Sequence, residues 1–414
     1  MTDPASIAEE VARSSYGKLL AFLAARTRDV AGAEDALSEA FATALATWPN
    51  QGVPSNPRAW LLTVARRKRL DTIRRAYTSR QAEPHLALLA EELTMEPAAD
   101  LPDERLALMF VCAHPAIDPS ARAPLMLQTV LGFDAAAIAS AFLTAPATMG
   151  QRLVRAKARI KLAGIPFRVP DRAEVPERLE FVLDAIYAAF TAGWTDPAGT
   201  EPRRRNLSDE AIWLGRLIVS LLPEDPEALG LLALMLYADA RRAARRTQDG
   251  EYIPLDKQDI AAWDTDLIEQ AEALLLQASS CGAVGRFQLE AAIQSAHVVR
   301  RRTGHPDWQA IVGLYDALWA ITGSPVVAIN RAVALAEVAG AAAGLAALEG
   351  LSGDARLAEY QPYWAARAGL LVRTGALTEA SAAYERAIGL ETDPAVRRLL
   401  WQRSSQIRQG PLPC

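Results

Sequence analysis

Ala145-Pro-Ala-Thr-Met-Gly-Gln-Arg-Leu-Val-Arg-Ala-Lys-Ala-Arg-Ile-Lys161 is the stretch on which the fold turns. Pro146 suits the first turn of a helix, where its missing N–H is not needed. Met149, Leu153, Ala156, Ile160 and Ala163 recur at helical spacing and make one apolar stripe. The opposite side carries Thr148, Gln151, Arg152, Arg155 and Arg159, all able to donate to phosphates or base edges. Just upstream, Asp134 can cap a short helix with Ile138, Ala139 and Phe142, followed by a Leu143-Thr144 turn. A short helix, a turn and a longer helix with a cationic face is a helix-turn-helix pattern, whose second helix can enter a DNA major groove. An ordinary amphipathic helix with a solvated basic face has the same local pattern.

Working outward, 414 residues suffice for two to four domains. The chain is half apolar and poor in aromatic and β-branched runs, which points to an all-α protein. No apolar run is long enough to span a bilayer, and Met1-Thr-Asp-Pro opens no signal-peptide pattern. Cys112, Cys281 and Cys414 are scattered and give no disulfide framework, so the expected compartment is the cytoplasm. Charge is unevenly divided: residues 1–170 carry a net +3 and the remainder −8. That asymmetry places an anionic partner at the front and argues against nucleic acid along the back.

From the N-terminus, Asp3-Pro4 opens a helix to about Arg26, and Asp29 precedes a second that Pro49 should end. On this second helix Leu37, Phe41, Ala44, Leu45 and Trp48 share one side, while Asp35 and Glu39, four apart, share another. Asn56-Pro57 restarts a helix carrying Trp60, Leu61 and Val64 into a basic run of Arg66, Arg67, Lys68 and Arg69, then Arg74, Arg75, Tyr77 and Arg80. Between Arg58 and Arg80 stand eight basic residues and one acid, Asp71, an imbalance suited to phosphate contact. Residues 81–104 reverse the sign, with seven acids and no Lys or Arg, and read as a linker with a short helix around Leu86–Leu93. Asp118-Pro119 opens the helix before the helix-turn-helix, Gly132 can close it, and residues 164–170 mark a domain boundary. Beyond about residue 175 come helices joined by Gly/Pro/Asp turns. Trp364, Leu371, Gly375, Ala380, Tyr384, Ala387 and Pro394 fall near the tetratricopeptide pattern, the proline two places late, with weaker copies at Pro325–Gly350 and Pro226–Ala243. Arg241–Pro254 and Gln258–Asp264 fit no plain repeat: they read either as a partner site or as a solvated connector.

Together these pieces resemble a bacterial extracytoplasmic-function sigma factor. Glu34-Asp-Ala-Leu-Ser-Glu-Ala-Phe41 resembles the acidic helix with which such proteins dock on the β′ clamp helices of core RNA polymerase, implying that role for Asp35 and Glu39. Pro57–Arg66 with Asp71-Thr-Ile-Arg-Arg75 resembles the segment that melts the minus-ten element, implying contacts from Arg66, Arg67, Arg69, Arg74, Arg75 and Tyr77. Thr148–Lys157 resembles the recognition helix for the minus-thirty-five element, implying Thr148, Gln151, Arg152, Arg155 and Arg159, with this second module placed at the β flap. Ser38 stands where many relatives have Gln, Arg67 where Asn is usual, and Gly150 where Lys is common. The tail is similar to that of a subgroup with a tetratricopeptide-like C-terminal extension. The implied division is 1–80 for sigma region 2, 81–104 for the acidic linker, 105–165 for region 4 and 170–414 for the extension.

The resemblance implies promoter-specific initiation with no cofactor and a possible protein partner for the extension. A helical-repeat scaffold whose front binds DNA without sequence preference is the alternative. A helical enzyme with its site in the tail is a third reading, disfavoured because His85, His114, His297 and His305 are scattered and no catalytic or metal constellation is readable. Cys112-Ala-His114 could form half a metal site, though a small buried thiol fits the pair equally well.

Overall fold

The computed structural model describes residues 4–76, 103–142, 144–171, 173–194 and 207–409. The expectations for Tyr77, Arg80, the helix around Leu86–Leu93 and nearly all of the acidic linker lie outside these residues. Among the described residues the secondary structure is helical, with no strand and one isolated backbone bridge, Arg246 to Tyr252. No described helix is long and apolar enough to cross a membrane. The chain forms two compact units, Met1–Leu217 and Ile218–Cys414.

In the front unit, α1 (Pro4–Thr27), α2 (Val30–Gln51) and α3 (Pro57–Ala76) pack pairwise. Leu19, Leu20 and Leu23 meet Leu37, Ala40, Ala44 and Trp48, with Leu61, Leu62 and Ala65 closing the core. Asp29 caps α2 by accepting from the Gly32 N–H at 3.1 Å, and Asn56 caps α3 by accepting from that of Ala59 at 3.1 Å. Pro49 does not end α2: the helix continues to Gln51, and the Gly52 N–H closes it on the Trp48 carbonyl at 3.0 Å. In a last turn the proline forfeits a single hydrogen bond, too small a loss to unwind a helix whose Trp48 is buried.

Four helices follow: α4 (Arg105–Cys112), α5 (Pro119–Thr129), α6 (Ala135–Ala141) and α7 (Pro146–Leu162). The side chains of α4 from Leu106 to Cys112 are buried, and the helix packs on α1. Burial pushes the Cys112 thiol up to about 12, and the thiol lies 3.6 Å from the Thr129 hydroxyl. Asp118 caps α5 through the Ser120 N–H at 2.8 Å, and Gly132, with φ of 72°, turns the chain beyond it. The next helices, α8 (Pro176–Trp194) and α9 (Leu207–Leu221), belong largely to the same unit. The Arg122 guanidinium of α5 lies 4.5 Å from the Phe181 ring of α8, and Arg105 reaches Glu210 and Trp213 of α9. The first helices of the extension therefore help to enclose α4 and α5.

The second unit is a run of antiparallel neighbours: α10 (Pro226–Asp239), α11 (Thr265–Ser280), α12 (Arg286–Val298), the single turn α13 (Arg300–Thr303), α14 (Trp308–Thr322), α15 (Pro325–Ala339), α16 (Ala341–Glu349), α17 (Gln361–Arg373), α18 (Leu377–Leu390) and α19 (Pro394–Gln409). Alanines let the pairs approach closely: Ala368, Ala380, Ala383 and Ala387 fill the seam of α17 and α18 beside Leu371 and Tyr384. A similar hairpin joins α15 and α16, whereas α10 is separated from α11 by three short 3-10 turns.

Candidate nucleic-acid interface

The α6–α7 segment is built as its local chemistry dictates. Asp134 accepts from the Ala137 N–H at 2.8 Å and so starts α6, and Pro146 opens α7. Met149, Leu153, Ala156 and Ile160 are buried, and this stripe fixes the rotation of α7. Each large apolar side chain so buried stabilises the docking by roughly 1.5–3 kcal/mol, far more than any surface ion pair could.

Thr148, Gln151, Arg155 and Arg159 are consequently exposed, and Arg152 is half-buried at the edge of the same face. The three arginines are steadied by backbone carbonyls. Arg152 donates to that of Ser120 at 3.3 Å, Arg155 to that of Gln151 at 3.3 Å and Arg159 to that of Ala116 at 3.4 Å. Among the described residues no carboxylate pairs with any of them. Val154 is exposed beside Gln151 and Arg155, an apolar feature that the sequence reading missed. A face offering amide, guanidinium and methyl groups can address phosphates, purine edges and thymine methyls together.

The flank of α7 meets α2. Lys157 donates to Glu34 at 2.5 Å and to the Gln128 amide oxygen at 3.0 Å, and Lys161 donates to Asp29 at 2.9 Å. Asp29 also takes Arg69 of α3, so one carboxylate joins the cap of α2, the basic run of α3 and the end of α7. Burial pushes the Asp29 carboxyl upward, but the bonds from Lys161 and Gly32 and the Arg69 charge outweigh it and hold it below 3.8. Glu34 goes the other way, because burial outweighs the attraction of Lys157. Neither Lys157 nor Lys161 figured among the residues expected to matter.

The basic run of α3 is divided by packing. Arg66 is buried, its guanidinium 5.3 Å from the Phe22 ring centre, and burial and Arg26 lower its proton affinity. Arg67 is exposed, Lys68 pairs with Glu39 at 3.4 Å, and Arg69 holds Asp29. Arg74 and Arg75 lie in the last turns of α3. Asp35 and Glu39 are both exposed on α2, while Leu37 of the same helix is buried and Phe41 half-buried. Leu45, expected on the apolar side, is exposed instead, since the contact face is already filled by Ala44 and Trp48. Trp60 is half-buried with its ring 5.5 Å from that of Trp48.

Residues 11–78, which span α1 to α3, match the family described as Sigma-70 region 2. Residues 178–279 match a family of unknown function, DUF6596. An uncharacterized protein of Rhizobium meliloti (strain 1021) is 39% identical over 370 residues, covering 87% of this chain and 86% of the relative. No solved structure matches the chain. With its exposed, acid-free cationic helix face, a region 2 domain supports a sigma-factor role in transcription initiation, and the chain belongs to one family with this Rhizobium meliloti protein.

Proposed function

We propose that the chain is a promoter-specificity subunit of RNA polymerase of the extracytoplasmic-function kind, with a tetratricopeptide-like extension that regulates it or recruits a partner. The observation that carries this reading is the face of α7. Thr148, Gln151, Arg155 and Arg159 are displayed together without acidic partners, behind a capped helix and turn, in a chain whose first helices match region 2. In this reading Asp35 and Glu39 dock on the β′ clamp helices of the core enzyme. Arg67, Arg74, Arg75 and Tyr77 contact the minus-ten element, and Arg66 and Arg69 join them on leaving Phe22 and Asp29. Gln151 and Arg152 read base edges of the minus-thirty-five element beside the β flap, Thr148, Arg155 and Arg159 hold its phosphates, and Val154 faces a thymine methyl.

Reading both elements requires the front unit to open. Elements about 25 base pairs apart lie roughly 85 Å from one another along B-DNA. In the arrangement described, Lys157 of α7 touches Glu34 of α2 at 2.5 Å. Release of Lys157 and Lys161 from Glu34 and Asp29 therefore precedes simultaneous contact with both elements. The energetic barrier to release is modest, because Lys161 is largely exposed and such pairs are weak in water.

The test is selection of a random duplex library by holoenzyme reconstituted from core polymerase and the purified chain. Two enriched boxes at fixed spacing are expected, and Arg152→Ala should erase preference at one position of the upstream box, about 1–3 kcal/mol of discrimination. Uniform, salt-sensitive recovery of all sequences would instead fit a non-specific DNA-binding scaffold and contradict the proposal.

A further inference from the structure

The insertion between α10 and α11 is a built structure. Its 3-10 turns, Arg242–Arg245, Leu255–Lys257 and Ile260–Ala262, are bound to one another and to the repeats. The Ile253 N–H donates to the Arg245 carbonyl at 2.7 Å, and that of Asp264 to the Ala240 carbonyl at 2.9 Å. Arg246 pairs with Asp393 and Arg398 with Glu251, which ties the insertion to α19 and the turn before it.

Inside it, two guanidiniums flank one indole. Arg300 lies 4.7 Å and Arg241 6.0 Å from the Trp263 ring centre. Arg300 donates to the carbonyls of Leu255 at 2.7 Å and Gln258 at 2.9 Å, and Arg241 to the Gln294 amide oxygen at 2.7 Å and the Tyr237 carbonyl at 3.3 Å. Among the described residues no carboxylate accepts from either. Nε of Arg300 and the indole N–H of Trp263 are buried donors without a partner. Protein surrounds Arg241 and the neighbouring His297 on most sides, yet both keep some surface in solvent, which places them in a recess rather than in a sealed core. His297 stands with its ring 5.4 Å from Trp308. Burial and the two arginines push its imidazole down to about 4, so it is neutral at pH 7. Burial, with Arg245 and Arg300 adding to it, likewise pulls Arg241 down to about 10.

Two cations sharing one ring, with neutral oxygens as their only hydrogen-bond acceptors, leave positive charge uncompensated in a partly desolvated recess, a costly arrangement unless an anion completes it. We propose that the recess formed by Arg241, Arg300, Trp263 and His297 binds an oxyanion, the phosphate or carboxylate head of a small ligand, held by the two guanidiniums and the Trp263 N–H. Guanidinium geometry suits both head groups. The extension is then a ligand-sensing domain, a conclusion that does not depend on the transcription reading.

Calorimetric titration of the full chain with inorganic phosphate and, separately, with citrate, at ionic strength matched by chloride, tests it. Saturable binding of either supports the site, and the better of the two names the head group. Arg241→Gln should weaken that binding at least about tenfold, whereas Arg398→Gln, a surface cation of the same unit, should leave it unchanged. Should Arg241→Gln fail to fold, the wild-type chain still decides, because the bound anion must shift the Trp263 indole N–H resonance. Heats and resonances no different from the chloride control, or equal loss in both variants, would overturn the proposal.

Discussion

At the scale of single residues, Asp29 carries more than its position suggests. It caps α2 and holds Arg69 and Lys161, so Asp29→Ala should cost about 2–4 kcal/mol in urea melts. Glu34→Gln should cost under about 1 kcal/mol, because burial already disfavours the ionised Glu34. The Asp29 carboxyl is held below its ordinary 3.8, so its contribution is full above that pH and is lost as pH falls through the lower folded value. The gap between wild type and Asp29→Asn should therefore close on acidification below 3.8. His297 has the opposite consequence. Depressed from 6.5 to about 4, chiefly by burial, it lets the unfolded chain bind the proton first. Stability should fall by roughly 3 kcal/mol as pH drops through that interval, and His297→Phe, which keeps a ring against Trp308, should remove this part of the slope. None of these pairings is legible in the sequence, since Asp29 and Lys161 lie 132 positions apart.

At the scale of elements, the helix starts were legible because caps are local chemistry: Asp29, Asn56, Asp118 and Asp134 each accept a backbone N–H as their residue types suggest. The polar face of α7 was equally readable, because the burial of Met149, Leu153, Ala156 and Ile160 follows from periodicity alone. Four successive basic residues on α3 were not divisible in this way. The ring of Phe22, on another helix, decides that Arg66 turns inward and Arg67 outward. The role of α8 was also hidden, since its Phe181 and the helix around it cover α4 and α5 from the extension side. Ending the chain after Pro170 strips that cover. We expect such a fragment to lose cooperative thermal unfolding or to aggregate, while one ending after Leu222, which keeps α8 and α9, should melt as a unit. Equal stability of the two fragments would show α8 to be dispensable for the front unit.

At the scale of the whole molecule, charge asymmetry and helical periodicity together gave the all-α class and set the basic front apart from the acidic repeats. The ion pairs that close α7 on α2 could not be read, because they depend on which faces meet after the helices form. The account predicts an ordered sequence of events: the α2–α7 contact parts, α2 engages the polymerase, and the α3 and α7 surfaces then bind duplex together, the second contact gaining from the effective concentration set by the first. Run-off transcription from a promoter chosen by the library selection tests the central claim most directly. With core polymerase alone no specific transcript should form, and adding the full chain should produce one of defined length that Asp35→Ala diminishes. A transcript independent of the chain, or none in its presence, would contradict the account.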